Sequence, residues 1–532
     1  LCNFLTRCSK TTMSEEYNLM AEARSVMVSW TGIKWIGIIT VWFVSTILFT
    51  YGTCLHQGHC GTGPWNSISH SWENPPGSYL SRFVVGFACD MICVFHGLLY
   101  LANTAADRVP DTTRKCCGCF TNEVLLGVGL FACFCLSWVA AICDADTDPL
   151  CLGNNTIHST CAILFFGLTD VVAAVMACNP KTEKARRPLR RVANSLVAGL
   201  MTLCTLVRLL RVLNGRANFN GSSSGWGPQD GDNFTIIAEV CEVTLFCVFM
   251  NTTARECFDG LSWAAVSTLV PDSDDRTVTL VAPARRLAQA GAALAGGVLA
   301  VSLVIGAFDG TLPVPEGQVP TLSDLGTHKP CNWLWRWGMV QACSAGLWVL
   351  AFSQVAVANG NPWRVADLAF LALGAGSLLC MAGMAIVNQD EQATYHAWLL
   401  AGFFALGDLY ALGLVVVDSS RHSKKAATTA APLAPQVFAV VAALSAIRGA
   451  LPFFTEGPSS SFAASNAEAV LEWVNAVALI GFFYTNCASR DATKEMGLSF
   501  LVDDYNYKQQ STQVPKEGKK AVAVSSHTAG LV

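Results

Sequence analysis

The chain has 532 residues, of which 52% are hydrophobic and 14% are charged, and its formal net charge is −4. A mean hydropathy of +0.42 is too high for an ordinary soluble protein of several domains, so we expect the chain in a lipid bilayer. The sequence contains no phosphate-cradling glycine loop, nucleophile elbow, metal-spaced histidine pair or nucleic-acid motif. We therefore predict no cofactor, no metal and no nucleic-acid partner.

Apolar runs follow one another along most of the chain. Each is close to the roughly 20 residues that a helix needs to cross about 30 Å of hydrocarbon. Unpaired backbone amides cost several kcal/mol each in hydrocarbon, so every run is predicted to be helical. The predicted spans cover residues 33–51, 79–103, 123–143, 157–178, 192–213, 234–250, 287–308, 334–358, 365–387, 395–417, 437–454 and 467–484. The predicted fold class is all-α, a polytopic membrane protein with about twelve transmembrane helices.

Lysine and arginine predict the orientation. Alternate loops, including 52–78, 144–156 and 388–394, contain neither residue, whereas the facing loops carry clusters such as the six basic residues of 181–191. Both termini are therefore expected in the cytoplasm. The glycosylation sequons at Asn154, Asn220 and Asn233 then lie outside, and the one at Asn251 lies inside. No cleavable signal peptide is predicted, because about thirty residues precede the first apolar run, and Met13 is a plausible initiator.

Cysteine is abundant, and most copies lie inside apolar runs, where a thiol acts as a small hydrophobic group. Cys54 and Cys60 share the first outer loop, and Cys143 and Cys151 bracket the second. In an oxidising lumen each loop is a candidate for a disulfide.

The two halves of the chain share an ordered set of landmarks. Ser69 with Arg82 corresponds to Ser323 with Arg336, 254 residues later. His158, a Phe-Phe pair and Asp170 correspond to His396, a Phe-Phe pair and Asp408, and Arg208 corresponds to Arg448. This pattern predicts two parallel tandem six-helix bundles. The expected organisation is a cytosolic N-terminal segment (1–32), a first unit (33–256), a cytosolic linker (257–285), a second unit (286–490) and a disordered cytosolic tail (491–532).

The landmarks resemble the six-helix membrane family that includes the damage-regulated autophagy modulators (DRAM), the Frag and Sfk proteins and the N-terminal part of the yeast Cwh protein. The resemblance rests on Ile68-Ser69 and Pro75-Pro76 in the first outer loop, on Leu322-Ser323-Asp324 in the second half, and on a histidine before each Phe-Phe pair. It implies an endomembrane, lysosomal or plasma-membrane protein. Its relatives are tied to autophagy, to remodelling of glycosylphosphatidylinositol anchors and to recruitment of phosphoinositide kinases, which implies membrane lipids and cytosolic trafficking or kinase partners.

Ionisable residues recur at the predicted outer ends of the spans. Inserting such groups into the hydrocarbon of a membrane costs free energy, so they tend to face a protein interior or a water-filled cavity. The candidates are Arg82, His158, Arg208, Glu239, Glu242, Arg336, His396, Arg448 and Glu472. In each half they are candidates to bind an anionic lipid headgroup, with arginine giving bidentate contacts to phosphate. The alternative is that they form interhelical ion pairs or extend to the interface.

Asp170 and Asp408 each lie twelve residues beyond their histidine, which is about 18 Å deeper on a helix. They are candidates either for proton relay in a transporter or for hydrogen bonds to neighbouring helices. Our leading expectation is a non-enzymatic DRAM/Frag-like protein that organises or senses lipids or modulates autophagy and membrane trafficking. One alternative is a twelve-helix secondary transporter that uses Asp170 and Asp408. Another is an intramembrane lipid-remodelling enzyme, which needs His158 or His396 against a second acid or nucleophile.

Overall fold

The computed structural model describes residues 29–60, 67–73, 75–107, 121–142, 153–178, 188–214, 233–257, 261–266, 277–280, 284–310, 318–357, 365–425, 435–444, 462–489 and 497–502. The helices of the first half are α1 (Gly32–His56), α2 (Ile68–Ser71), α3 (Gly77–Asp107), α4 (Asn122–Ala141), α5 (Asn155–Cys178), α6 (Pro188–Leu213) and α7 (Asn233–Cys257). Those of the second half are α8 (Ala284–Asp309), α9 (Cys331–Val357), α10 (Val365–Ile386), α11 (Ala393–Lys425), α12 (Pro435–Leu444) and α13 (Phe462–Ser489).

In the described part of the chain, ten helices are long and apolar enough to cross a membrane. Their outer surfaces carry large apolar side chains that a soluble protein would bury, such as Phe308 at 87% exposure and Leu213 at 72%. These observations confirm the prediction of a helical, multi-pass integral membrane protein. Of the predicted span 437–454, the structure describes only the short helix α12, and the remainder lies outside the described residues.

Helix α9 has 27 residues, which is long enough to span a membrane, although it is not among those ten. The N-terminal half of α9 includes Trp333, Trp335, Arg336 and Gln341, so this part of the helix is less apolar than a lipid-facing span. The helix packs among α3, α4, α8 and α10, so it lies against protein on several sides. A helix in that position does not need the uniform apolar surface of a lipid-facing span.

Polar side chains within the spans form hydrogen bonds inside the bundle. Thr46, Thr169 and Thr244 each donate to the backbone carbonyl four residues earlier, at 2.7 to 2.8 Å. This local pairing removes the cost of placing a hydroxyl group in hydrocarbon. The threonines therefore do not interrupt helices whose other residues are mostly apolar.

The helices of each half pack in the same order. In the first half α1, α3, α4, α5, α6 and α7 contact one another in sequence, and α7 returns to α1. In the second half α8, α9, α10 and α11 contact one another in sequence, and α13 contacts α8. Both rings enclose apolar cores, with Phe95, Ile92 and Met250 in the first and Trp335, Phe482 and Ala382 in the second.

The halves meet through equivalent helices. Helix α9 contacts α3 and α4, and α10 contacts α3, so each half contributes the corresponding pair of helices. Gly86 of α3 faces Val340 of α9. Four residues further along both helices, Asp90 forms a hydrogen bond with Ser344. Each of these pairs joins positions 254 residues apart, the spacing that also separates Arg82 from Arg336. The same helix surface of each half therefore contacts its counterpart in the other half, as in a two-fold contact between parallel units.

Four short strands accompany the helices. They are β1 (Ser29–Thr31), β2 (Leu261–Val266), β3 (Thr277–Leu280) and β4 (Gly497–Val502), and they form an antiparallel sheet in the order β1-β2-β4-β3. Residues 497–502, within the predicted disordered tail 491–532, form strand β4, and the rest of that tail lies outside the described residues. Strand β4 has strand partners on both sides, so its backbone groups are paired within the sheet.

Candidate functional site

A serine and a histidine form a buried pair in each half. His158, at the start of α5, has Nε2 3.3 Å from Ser69 Oγ and Nδ1 2.6 Å from the Ile142 carbonyl. His396, at the start of α11, has Nε2 2.7 Å from Ser323 Oγ and Nδ1 2.6 Å from the Val387 carbonyl. A carbonyl only accepts hydrogen bonds, so Nδ1 carries a proton in both rings. In the neutral imidazole, Nε2 is then an acceptor that faces the serine hydroxyl.

Short segments between the helices hold the two serines in place. Ser69 lies in α2, where Ser67 caps the helix by accepting a hydrogen bond from the His70 backbone N–H at 3.0 Å. Ser323 precedes a single 3₁₀ turn, and Asp324 accepts from the Thr321 backbone N–H at 2.7 Å. Trp473 of α13 donates to the Pro320 carbonyl at 2.8 Å and so fastens this segment to the bundle.

A glutamate from the last helix of each half lies beside the serine. Ser69 donates to Glu239 Oε1 at 3.4 Å, and Glu472 accepts from the Leu322 backbone N–H. The single proton of Ser69 can serve either Glu239 or His158 at one time, but not both. A cavity of about 30 Å³ lined by Ser69, Glu239 and apolar residues such as Phe165 adjoins this cluster, which is room for a water molecule.

The structure separates the arginines from the histidines. Arg82 of α3 and Arg336 of α9 converge on one carboxylate, Glu391, at 3.6 and 2.5 Å. All three side chains are at most 3% exposed. Arg82 also donates to the Ile386 carbonyl at 3.3 Å. The two arginines, which the sequence assigned to separate candidate headgroup sites, therefore lie in one shared cluster at the junction of the halves.

Glu391 did not stand out in the sequence, where it is one acid in the outer loop 388–394. Its importance comes from packing between the halves, which brings two distant arginines to the same carboxylate. The usable signal was the absence of lysine and arginine from that loop.

An open groove of about 630 Å³ adjoins the arginine cluster. Tyr79 lines the groove and is close enough to Arg82, Arg336 and Glu391 to interact with them electrostatically. Its other walls are mostly apolar and aromatic: Pro75, Pro76, Val387, Tyr395, Trp398 and Leu399, with Gln57 and Gln392. Tyr395 is 64% exposed and Trp398 is 74% exposed, and their position at the end of a span is typical of the aromatic belt of membrane proteins.

Arg208 and Glu242 form an ion pair inside the first half, with both side chains fully buried. Thr205 also donates to Glu242, and the Arg208 guanidinium lies 4.8 Å from the centre of the Phe166 ring. This geometry is that of the interhelical ion pair considered from the sequence. Arg448, the equivalent of Arg208, lies outside the described residues.

The two deep acids lie in hydrogen-bonded surroundings. Asp170 shares a hydrogen bond with Thr205, and Asp408 accepts from Asn475 at 3.3 Å. Neither acid lines the groove or the cavity beside Ser69 and Glu239.

Residues 284–488 match the family described as Frag1/DRAM/Sfk1/Cwh43P N-terminal domain. The match runs from the first residue of α8 almost to the end of α13, and it includes Ser323, Arg336, His396, Glu391 and Glu472. It supports the family resemblance for this half of the chain and an integral, multi-pass, DRAM/Frag-like membrane protein. No curated protein and no solved structure is similar enough to the chain to count as a match.

The remaining candidates from the sequence are cysteines for disulfides and asparagines for glycosylation. Cys54 and Cys60 form a disulfide, while Cys143 and Cys151 lie outside the described residues. Asn154 caps α5 by accepting a hydrogen bond from the Ile157 N–H at 3.0 Å, and Asn233 is the first residue of α7. Asn220 lies outside the described residues. Within the described ranges, no three histidine, cysteine or acidic side chains are grouped so that they could hold a metal ion.

Proposed function

We propose that the chain is a non-enzymatic membrane protein that binds an anionic lipid headgroup at the outer junction of its halves, and that it organises or senses lipids in this way. The observation that carries this proposal is the convergence of Arg82 and Arg336 on Glu391 beside the aromatic groove. A role in autophagy or membrane trafficking, with cytosolic trafficking or kinase partners, belongs to the same proposal and rests on the family resemblance.

The chemistry of the groove favours a lipid over a free anion. Two guanidinium groups share one carboxylate in the cluster, so a net positive charge lies beside the groove and favours an anionic headgroup there. Tyr79, in the wall of the groove, interacts electrostatically with both arginines. The walls formed by Pro76, Tyr395 and Trp398 offer an apolar surface to acyl chains next to this polar end. A phospholipid carries both kinds of group, whereas inorganic phosphate would leave the apolar walls exposed to water.

The first test compares the lipids that copurify with the full chain in a mild detergent. The double variant Arg82→Gln, Arg336→Gln is expected to lose anionic phospholipid by at least about tenfold, because it turns the net charge of the cluster beside the groove from positive to negative. The variant Arg211→Gln is the matched control, since Arg211 lies near Phe234, away from the groove. Lipid content is measured by mass spectrometry, and circular dichroism checks the fold.

An unchanged lipid content in a folded double variant would contradict the proposal. An equal loss of lipid in the double variant and in Arg211→Gln would also contradict it, because lipid binding would then depend on the total charge of the protein and not on the arginine cluster.

The two halves, in this proposal, are copies of one ancestral six-helix unit. Three features support this: the same order of helix contacts, the Ser–His pairs with the same kind of partner on Nδ1, and the pairing of Asp90 with Ser344 at equivalent positions. The single arginine cluster is then a product of the junction between the copies.

The second candidate function is an intramembrane lipid-remodelling enzyme, and the Ser–His pairs are the observation that favours it. In each half, Nε2 of the histidine is placed to accept the serine proton while a backbone carbonyl holds Nδ1. A serine oxygen activated in this way can attack the carbonyl carbon of an acyl ester. The ester C–O bond then breaks, the acyl group stays on the serine, and the alcohol leaves with the proton that the histidine took from the serine.

A fluorophosphonate probe tests this candidate, because it labels serines that an adjacent base activates. Labelling of the full chain should disappear in the double variant Ser69→Ala, Ser323→Ala. It should persist in Ser159→Ala, whose hydroxyl donates to Asn155 near the start of α5. If the unsubstituted chain is not labelled, the enzyme hypothesis is wrong. Transport through Asp170 and Asp408 is the less supported alternative, since neither acid lines a described cavity.

A further inference from the structure

Four aromatic side chains form a continuous cluster where α4 of the first half meets α9 of the second. The rings of Trp138 and Trp337 are stacked, with centroids 5.4 Å apart and 13° between their planes. The rings of Phe131 and Phe134 are stacked in the same way, at 5.9 Å and 15°. A T-shaped contact of 5.7 Å between Phe134 and Trp337 joins the two pairs. We call these four residues the aromatic shelf.

Hydrogen bonds and stacking hold the rings of the shelf in place. Trp337 Nε1 donates to Ser137 Oγ at 2.8 Å, across the junction of the halves. Ser137 itself is buried and donates to the Phe134 carbonyl at 2.7 Å. Aromatic side chains have only two torsions, so these contacts leave the rings little freedom. The shelf is therefore a rigid surface.

The shelf faces the hydrocarbon of the bilayer. Phe131 is 49% exposed and Phe134 is 43% exposed, and both lie on α4, one of the ten helices that are long and apolar enough to cross a membrane. Trp138 and Trp337 are half-buried. Side chains that are exposed on a span contact lipid and not water. The partner of this surface is therefore a component of the bilayer.

The depth of the shelf corresponds to one leaflet. Helix α4 ends at Ala141, beside the Ile142 carbonyl that contacts His158. Trp138 lies about 5 Å from this end and Phe131 about 15 Å, at 1.5 Å per residue. Half of a hydrocarbon layer of about 30 Å is the same depth. The shelf thus extends from the membrane surface near the Ser–His pairs to the middle of the bilayer.

A hydrogen-bond donor lies at the surface end of the shelf. Trp333 precedes Trp337 by one turn of α9, and the Lys329 ammonium lies 6.0 Å from the centre of the Trp333 ring. The same ammonium donates to the Gly153 carbonyl at 2.7 Å. An ammonium has three N–H donors, and this bond uses one of them. Lys329 can therefore also donate to the oxygen of a ligand at the membrane surface.

We propose that the aromatic shelf binds a sterol, with the fused rings flat against the shelf and the hydroxyl group directed toward Lys329. A sterol is a rigid, flat apolar body with one hydroxyl group at its end. An acyl chain would lose torsional freedom on a rigid flat surface, whereas fused rings have almost none to lose. The flat faces of the stacked rings also give a flat ligand many dispersion contacts.

This site is separate from the lipid groove beside the arginine cluster. The groove is lined by residues of α1, α3, α10 and α11 and the segments next to them, whereas the shelf consists of residues of α4 and α9. The two sites have no residue in common. The sterol proposal therefore does not depend on the proposed binding of an anionic headgroup.

The test uses the full chain in phosphatidylcholine vesicles that contain a diazirine analogue of cholesterol. After irradiation, mass spectrometry is expected to find sterol adducts on the peptides of α4 and α9 that carry the shelf, and excess unlabelled cholesterol should compete for them. The double variant Phe131→Leu, Phe134→Leu keeps the surface apolar but removes two flat rings, so labelling should fall by at least about fivefold. Trp42→Leu is the matched control, because Trp42 is 40% exposed on the span α1.

A second probe, phosphatidylcholine with a diazirine in its acyl chain, distinguishes a sterol site from ordinary contact with lipid. This probe is expected to label the shelf no more than the other lipid-facing helices. Equal labelling of the shelf by both probes, or sterol labelling that unlabelled cholesterol does not reduce, would overturn the proposal. These two outcomes are measured on the unsubstituted chain, so they do not depend on the folding of a variant. Absence of sterol adducts on the shelf, or equal labelling of the double variant and Trp42→Leu, would overturn it as well.

Discussion

At the scale of residues, the junction of the halves includes equivalent positions that touch. Arg82, Gly86 and Asp90 are spaced four residues apart on α3 and therefore lie on one face of that helix. Glycine at the middle position lets the helices approach closely, since an added Cβ would lie 2.7 Å from Val340 Cγ1. The polar residues on either side of it are paired across the same interface.

Gly86→Ala should destabilise the junction. Valine is stiff at χ1, so Val340 cannot turn aside without moving its helix. Overpacking of this kind costs about 1 to 3 kcal/mol, and the higher helix propensity of alanine offsets at most about 1 kcal/mol of it. The free energy of unfolding in detergent, from the circular dichroism of the helices, measures the balance.

Gly97→Ala is the control on the same helix, because its added Cβ would meet nothing within 4 Å. It should be neutral or stabilise the helix by up to about 1 kcal/mol. Equal free energies of unfolding for the two variants would show that α3 and α9 do not approach closely at Gly86.

At the scale of elements, the spans were predictable and the sheet was not. An apolar run of about twenty residues predicts a helix locally, since hydrocarbon leaves the backbone no other partner. Strand pairing depends on segments more than two hundred residues apart, such as Leu261 and Val502. Within β2, Ser262 is the only polar residue, so the alternation is weak when that strand is considered alone.

The candidate site shows the same division. Order and spacing along the chain identified the histidines His158 and His396 and the serines of the outer loops, because a repeat marks positions without any knowledge of packing. The sequence could not show that Arg82 and Arg336 lie apart from these histidines and contact Glu391 together. That arrangement depends on which faces of α3 and α9 turn toward each other.

At the scale of the whole molecule, the parallel arrangement of the halves follows from the helix contacts. Equivalent helices meet at the junction, and equivalent residues pair there, as expected when one unit is rotated onto the other about an axis along the membrane normal. Inverted units would place the Ser–His pair of one half at the opposite membrane surface. Parallel units place both pairs at the same surface, where Lys329 of the second half also donates to the Gly153 carbonyl of the first at 2.7 Å.

Glycosylation tests the orientation of that surface, because oligosaccharide is added only on the lumenal side of the membrane. We expect glycans at Asn154, Asn220 and Asn233 and none at Asn251, whose amide nitrogen donates to Thr40 at 2.7 Å between two helices. In a eukaryotic host, Asn154→Gln should increase the electrophoretic mobility of the full chain by one glycan, and Asn251→Gln should leave it unchanged. A glycan lost with Asn251→Gln would place the basic hairpins in the lumen, and the Ser–His pairs, the arginine cluster and the groove would then face the cytosol.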